Sequence, residues 1–477
     1  MTNAEPRPSL PIPYSITITS KSLNIVTMAA GWRLAGAAFK RIMCAMNISA
    51  EFQMALNRLQ DEVVTGREKG LPAGAWRFGD LGQQGWNILR GDVPLPAMVI
   101  RWADVAHNIR LMQAYCDQHR AWLAPHGKTT MAPQIFAAQL EAGSWAITLA
   151  NIPQVQVARS FGMTRVLLAN EAINDYDARY LARELAADPA FEPYVLVDSA
   201  EAVARLSRAL ESNNPGRPLN VLVELGMPGG RCGIRTVAEA RALAEQVAGA
   251  GGGLRLAGVE GYEGIAPGAT HGEAAAGAVA FLKQLAEAAR SIRPLAAPGE
   301  TFLVTAGGSM FFDLVVEHLG RQALPDAQLV LRSGGYVTHD AVHYAEGSPL
   351  GGKLGPVETK AQLRPALEIW STVLSRPEPD RAILSMGKRD VPIDLDMPVP
   401  LYWSRAGAPA QPLPTGCAVF RVNDQHAYLR LAPGADVHVG DLVGCGISHP
   451  CTAFDKWRVL LTVDEAKNVI GGVKTYF

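Results

Sequence analysis

Lys128 stands in AWLAPHGKTTMAPQ (residues 121–134), where an apolar run ends at Pro125 and a helical pattern begins near Pro133. A lysine between a strand and a helix, close to apolar surface, loses solvation and with it some affinity for its proton. Its neutral amine can then form a Schiff base with a carbonyl. The bland alternative is a solvated loop lysine, and the surroundings decide between the two. His126 lies two residues upstream. TAGGSMFFD (305–313) offers Gly307, Gly308 and Ser309, a turn whose backbone N–H groups could approach a phosphate closely, or an ordinary glycine corner. GMPGGRCGI (226–234) places Arg231 on a glycine-rich loop, able to bind a ring oxygen or a carboxylate or to form a surface ion pair. In GISHPCTAFDKW (446–457), His449 and Cys451 are spaced i, i+2. On an extended segment that spacing puts both on one face, and imidazole with thiolate suits zinc or another divalent metal. Two protein ligands leave positions open for a substrate; the competing reading is a half-buried histidine beside an inert cysteine.

These groups need a frame to bring them together. From about residue 95, short apolar strands alternate with helical segments. Eight strands are expected at 121–125, 145–150, 165–169, 194–198, 220–225, 254–262, 301–306 and 328–334. Thr130 and Pro133 suit the start of the first helix and Gly143 its end; Asn151, Pro153 and Gly162 do the same for the second. Eight such repeats with continuous apolar strands indicate an α/β chain with a (β/α)8 TIM-type barrel. An open doubly wound sheet is the second choice, weakened because no GxGxxG follows the first strand. In a barrel, the residues just after each strand form the site. They are His126 and Lys128, Asn151, Asn170, Glu224 and Arg231, Tyr262 and Glu263, Gly307 to Ser309, and Arg332, Ser333 and Tyr336.

After about residue 360 the strands follow one another without helices, as in LEIWSTVLSR, GCAVFRV, HAYLRLA and WRVLLTVD. The expected organisation is a disordered or spurious extension over 1–45, a helical N-terminal extension over 46–94, the barrel over 95–360 and an all-β C-terminal domain over 361–477. ISAEFQMALNRLQDEVVTGREKG reads as a helix with Phe52, Leu56, Leu59 and Val63 on its apolar face. LPAMVIRW (95–102) is a strand that could enter the barrel or cross to the β domain. The 477 residues carry a net charge of −1, so nothing points to nucleic acid or an anionic membrane surface, and no apolar run would span a bilayer. Six cysteines without a CxxC pair fit a reduced, cytoplasmic protein.

Together LAPHGKTTMAP, QLEAGSWAITLAN, RVLLANEAI, GGRCGI, GVEGYEG, VTAGGS, LRSGGYVTHD and SHPC resemble the fold-type III pyridoxal-phosphate enzymes. The branch they resemble is the D-serine dehydratase and D-threonine aldolase group. That resemblance runs from about Leu95 to Phe477. It implies an alanine-racemase-like barrel, a C-terminal β domain and a homodimer. It implies pyridoxal 5'-phosphate on Lys128, and His126 and Arg231, read above from their positions at the strand ends, are taken as further cofactor-site candidates. Gly307, Gly308 and Ser309 match the phosphate loop, Arg332 the arginine facing the pyridine nitrogen, and Tyr262 and Tyr336 the pocket tyrosines. His449 and Cys451 match a metal pair, and a His–Cys pair looks like the zinc-dependent D-serine dehydratases. The implied activity is a D-amino-acid lyase. Its first form is metal-assisted β-elimination from D-serine to a keto acid and ammonia. The alternative is aldol cleavage of D-threonine or another 3-hydroxy-D-amino acid. Racemisation, with Tyr336 as the second acid/base, and a cofactor carrier without turnover are further alternatives.

Overall fold

A computed structural model of the chain describes residues 48–352, 361–405 and 407–477. The expected extension over 1–45 lies outside them. Ser49 caps α1 (Ala50–Asp61) by accepting from the Phe52 N–H, and Phe52, Ala55, Leu56 and Leu59 form its buried face. The helix is shorter than its apolar period suggests. Val63 is exposed, and the β-branched run Val63–Thr65 forms β1, paired antiparallel with β2 (Ala75–Arg77). The segment before the barrel is therefore part helix and part hairpin.

The strand before the barrel, β3 (Ala97–Arg101), belongs to the second domain, although α2 (Trp102–Gln118) follows it directly. The barrel strands are β4 (Trp122–Leu123), β5 (Ile147–Leu149), β6 (Arg165–Glu171), β7 (Glu192–Val197), β8 (Leu219–Leu225), β9 (Leu254–Gly261), β10 (Leu303–Ala306) and β11 (Gln328–Leu331). All pairings are parallel and follow chain order, and a bridge from His126 to Thr148 closes the ring between β4 and β5. Between them lie α3 (Pro133–Glu141), α4 (Ile152–Ser160), α5 (Asp175–Ala187), α6 (Ala200–Asn213), α7 (Val237–Gly249), α8 (His271–Ile292) and α9 (Phe312–Leu319). This is the (β/α)8 barrel that the strand count led to. Asn151 caps α4 through the Gln154 N–H, with a proline in its first turn. Thr130 does not cap α3: Ala132 holds that position, and a turn at 127–129 comes between. Inside the ring, Leu167, Tyr194, Leu196, Leu222, Leu303 and Val330 pack together. Each large side chain removed from water there stabilises the fold by roughly 2 kcal/mol. Stacked Trp122 and Trp145, with Tyr194 beside them, fill the N-terminal end, so the C-terminal end remains for a site.

After the short helix α10 (His343–Gly347), the second domain is antiparallel. Its strands are β12 (Leu367–Glu378), β13 (Arg381–Leu384), β14 (Val399–Ser404), β15 (Gln411–Pro412), β16 (Ala418–Val422), β17 (Ala427–Arg430), β18 (Leu442–Gly446), β19 (Val459–Val463) and β20 (Val469–Lys474). β3 pairs antiparallel with β12 and parallel with β19, which settles the open placement of LPAMVIRW. The sequence reading lacked β14, β15 and β20. Prolines at 400 and 412 and glycines at 471 and 472 interrupt their alternation. Glu368 on β12 accepts from Lys467 at 2.8 Å and from the Trp370 indole at 2.8 Å, anchoring the β19–β20 turn in the domain core.

Candidate active site

Lys128 rides on the one-turn helix 127–129 immediately after β4. A Cβ at Gly127 would lie 2.7 Å from Ile147 and 2.8 Å from the Phe136 ring, so only glycine lets the turn pack this closely. Met131 follows in the left-handed region at φ 41°, its N–H bonded to the Gly127 carbonyl at 2.8 Å. The turn is thus fixed on both sides of the lysine. Burial lowers the Lys128 pKa; the nearby Cys451 sulfur opposes that, and the Arg231 and Arg332 charges add to it. His126 is held well below its ordinary range by burial and by the Lys128 and Arg332 charges, and its buried Nδ1 has no partner. Neutral imidazole and a readily deprotonated amine therefore share one wall.

Arg332, only 5 % exposed, ends β11. It pairs with Glu260 of β9 and donates to the Gly261 carbonyl at 3.0 Å, while its Nε has no partner. Burial, and then the neighbouring Glu260 and Glu171, push Glu224 up to about 11. A positive charge held by one acid and flanked by another kept protonated is what a low-dielectric floor permits. Arg231 lies on an exposed loop whose carbonyls at Cys232 and Gly233 accept from Arg235 at 2.9 and 2.7 Å. Its guanidinium stands 5.0 Å from the centre of the Tyr262 ring. Burial raises the Tyr262 phenol to about 12, so it acts as a hydrogen-bond donor at neutral pH.

The glycine turn after β10 differs from a bare phosphate cradle. The Gly307 and Gly308 N–H groups donate to the fully buried carboxylate of Glu263 at 3.0 and 2.7 Å. Two donors expected for an anion are thus committed to a residue of the chain itself. The corner beside them is tightly packed: a Cβ at Gly335 would fall 3.1 Å from Ser309 Oγ and 2.6 Å from the Tyr344 ring, so only glycine lets the two loops meet there. Ser333 Oγ donates to the Gly308 carbonyl at 2.7 Å and locks the two loops together.

Three expected residues are not gathered here. The Tyr336 hydroxyl accepts from Gln139 of α3 at 3.0 Å, and its ring is 1 % exposed in the core. The turn at 335–337 rotates it away from the pocket. Tyr344, which the sequence reading passed over, takes the place beside Ser309, Tyr262 and Cys451. Asn151 is spent on the cap of α4, and Asn170 is exposed, bonded to the next N–H.

His449 and Cys451 are brought together by a turn rather than by strand alternation, because Pro450 opens the one-turn helix 450–452. Asp394 accepts from His449 Nδ1 at 2.5 Å and from Thr452 at 2.7 Å, which turns Nε2 toward the other side of the ring. Burial disfavours a charged imidazole, but Cys451 and Asp394 outweigh it and raise His449 to about 9. Carboxylate–histidine support of this kind orients metal ligands. The pair fits a divalent ion of zinc type, although among the described residues no group of three or more His, Cys, Asp or Glu could hold one. Thr129 Oγ1 lies 3.2 Å from Cys451 Sγ, so the β domain meets the barrel one residue from Lys128.

A family model, "Alanine racemase, N-terminal domain", matches residues 100–315, and a second, "Putative serine dehydratase domain", matches 366–463. A D-threonine aldolase from Arthrobacter sp is 27% identical over 376 residues, 78% of this chain and 90% of the relative. The chain is homologous to the fold-type III pyridoxal-phosphate enzymes. Among fold-type III proteins it falls in the family of pyridoxal-phosphate-dependent D-amino-acid lyases. A 3-hydroxy-D-aspartate aldolase from Paracoccus denitrificans (strain Pd 1222) is 23% identical over 313 residues, 64% of this chain and 75% of the relative. The crystal structure of D-threonine aldolase from Filomicrobium marinum superposes with a TM-score of 0.68 at 26% identity, covering 82% of this chain and 97% of that one. Among the described residues no helix is long and apolar enough to cross a membrane.

Proposed function

We propose that the chain is a lyase of D-amino acids bearing a 3-hydroxyl, with Lys128 holding pyridoxal phosphate and a divalent metal on His449 and Cys451. The observation that supports this is the 3.2 Å contact between Thr129 and Cys451, which brings the loop of Lys128 and the metal-type pair next to one another across two domains. The buried, unpartnered His126 Nδ1 and Arg332 Nε fit a polar, phosphorylated cofactor. Pyridoxal phosphate, when bound, supplies the electron sink for charge released at the substrate α-carbon. A metal on His449 and Cys451 would supply a Lewis acid beside the substrate hydroxyl.

The chain's own residues account for the rest. Burial lowers the Lys128 pKa, so its amine, once deprotonated, can take the α-proton of a D-substrate. Arg332, fixed by Glu260 and the Gly261 carbonyl, would offer a positive group to the cofactor ring without a free charge to neutralise. Arg231, on the exposed loop, stands over the Tyr262 ring and offers a positive group for a substrate carboxylate. Asp394 restrains the His449 ring through its Nδ1 bond, leaving Nε2 as the nitrogen for a metal.

Elimination of water, giving a keto acid and ammonia, is the preferred outcome, supported by a cysteine rather than an acid as the second member of the metal pair. Aldol cleavage to glycine and an aldehyde is the second reading, favoured by the likeness to the Arthrobacter D-threonine aldolase over 90% of its length. Tyr336, turned into the core, no longer supports racemisation.

Incubation of the purified protein with D-serine and with D-threonine, with and without a chelator, separates these outcomes. Keto acid and ammonia mark elimination, and glycine marks cleavage. Chelator-insensitive turnover would remove the metal from the reaction. Lys128→Ala should lose both visible absorbance and activity, and a yellow, active variant would end the assignment of Lys128.

A further inference from the structure

The segment between the β11 turn and α10 is held by one buried acid. Asp340 is 1 % exposed, and its carboxylate accepts from the N–H groups of Val342 at 2.9 Å, Tyr344 at 2.9 and 3.1 Å, and Ala345 at 3.5 Å. Asp340 Oδ1 meets all three residues, and Oδ2 adds a second contact to Tyr344. On its other side the segment joins the β domain, where Ala341 N–H donates to the Ile447 carbonyl at 2.9 Å. A Cβ at Gly446 would lie 2.7 Å from Ala341, so the two chains are in close contact there.

This fastening matters because of where it leaves Tyr344. Cys451 and Tyr262 are the strongest electrostatic neighbours of its hydroxyl after burial itself, and Ser309 lies nearby. The ring also fills the space that a side chain at position 335 would need. Tyr344 therefore stands where the loops after β9, β10 and β11 meet the metal-type pair. Its backbone sits on a five-residue helix, too short to fix a ring by itself.

We propose that Tyr344 is a wall of the cofactor and substrate pocket and that Asp340 is the positioning residue that holds it there. The identity of the occupant rests on the functional reading above; the fastening of Tyr344 by Asp340 does not.

Four variants test this: Tyr344→Phe, Asp340→Ala, Asp340→Asn and the double variant Asp340→Ala/Tyr344→Phe. Each is titrated with pyridoxal phosphate by visible absorbance and followed by amide hydrogen exchange over residues 342–345. Tyr344→Phe removes one polar group from that wall and should weaken cofactor binding roughly fivefold. Asp340→Ala should speed exchange over 342–345 and weaken cofactor binding at least as much. Asp340→Asn keeps an oxygen at the Oδ1 position and should restore both. The double variant should bind no more weakly than Asp340→Ala, since one residue acts through the other. Fast exchange in Asp340→Ala with wild-type cofactor affinity would show a turn cap and nothing more, overturning the proposal, as would multiplicative effects in the double variant. A wild-type protein that takes up no cofactor would overturn the functional reading together with this one, whereas normal uptake with an indifferent Asp340→Ala would overturn this one alone.

Discussion

Replacing Glu263 with alanine should uncouple the loop after β10 from the barrel. Its carboxylate is fully buried and satisfies the Gly307 and Gly308 N–H groups at 3.0 and 2.7 Å. Each buried N–H left without an acceptor costs about 1–3 kcal/mol, so the pair comes to roughly 4 kcal/mol. Spent wholly on ordering the turn that presents Ser309, that cost corresponds to about a thousandfold in affinity for a ligand of the turn. Water entering the vacated volume recovers part of it, which leaves a loss of roughly 10- to 100-fold as the expectation. Glu263→Gln retains one acceptor oxygen but aims an NH2 group at the other amide, and should fall between alanine and wild type. Titration of the apoprotein with pyridoxal phosphate, read by visible absorbance, measures the effect, and the thermal midpoint shows whether the domain as a whole is weakened. Binding by Glu263→Ala within about twofold of wild type would refute the reasoning. Tighter binding would refute it differently, by showing that Glu263 competes with the phosphate for these amides.

Two further outcomes can be checked on the purified protein. His339 is 1 % exposed, and burial lowers its pKa to about 4. The unfolded chain takes up that proton below about pH 6.5 while the native state does not, so this part of the stability is intact above about pH 6.5. It is lost at roughly 1.4 kcal/mol per unit, about 3 kcal/mol in all, as pH falls toward 4. His339→Asn, which tolerates the observed φ of 48°, should flatten that slope in denaturation at about pH 7 and about pH 5; an unchanged slope would be against it. Tyr336→Phe leaves Gln139 without its buried partner and should lower stability by about 1–2 kcal/mol with cofactor binding untouched, the opposite of the pattern expected for Tyr344→Phe. A cofactor defect in Tyr336→Phe would return that residue to the pocket.

Much of the site was legible because barrel geometry converts order along the chain into a place around a ring. Lys128, Arg231, Tyr262, Ser309 and Arg332 each follow an apolar strand, and parallel pairing in chain order carries their loops to one end. Rotation about a turn is not legible in that way. Tyr336 and Tyr344 both follow β11, and only the path of 335–347 decides that the first enters the core and the second meets Ser309. Glu263 could be seen as a strand-end acid, but its capture of two amides depends on a contact 44 residues away in the chain.

The sequence by itself determined the repeating strand–helix order, the lysine at the first strand end, the glycine turn after the seventh and the His449–Cys451 spacing, since periodicity, capping and turn chemistry are local properties. Tertiary structure decided the remainder. It placed β3 in the second domain, committed the glycine amides to Glu263, and brought Cys451 to Thr129 across 322 positions of chain. The reason is physical: a hydrogen bond between distant residues depends on how two packed bodies meet, and no stretch of local pattern carries that information.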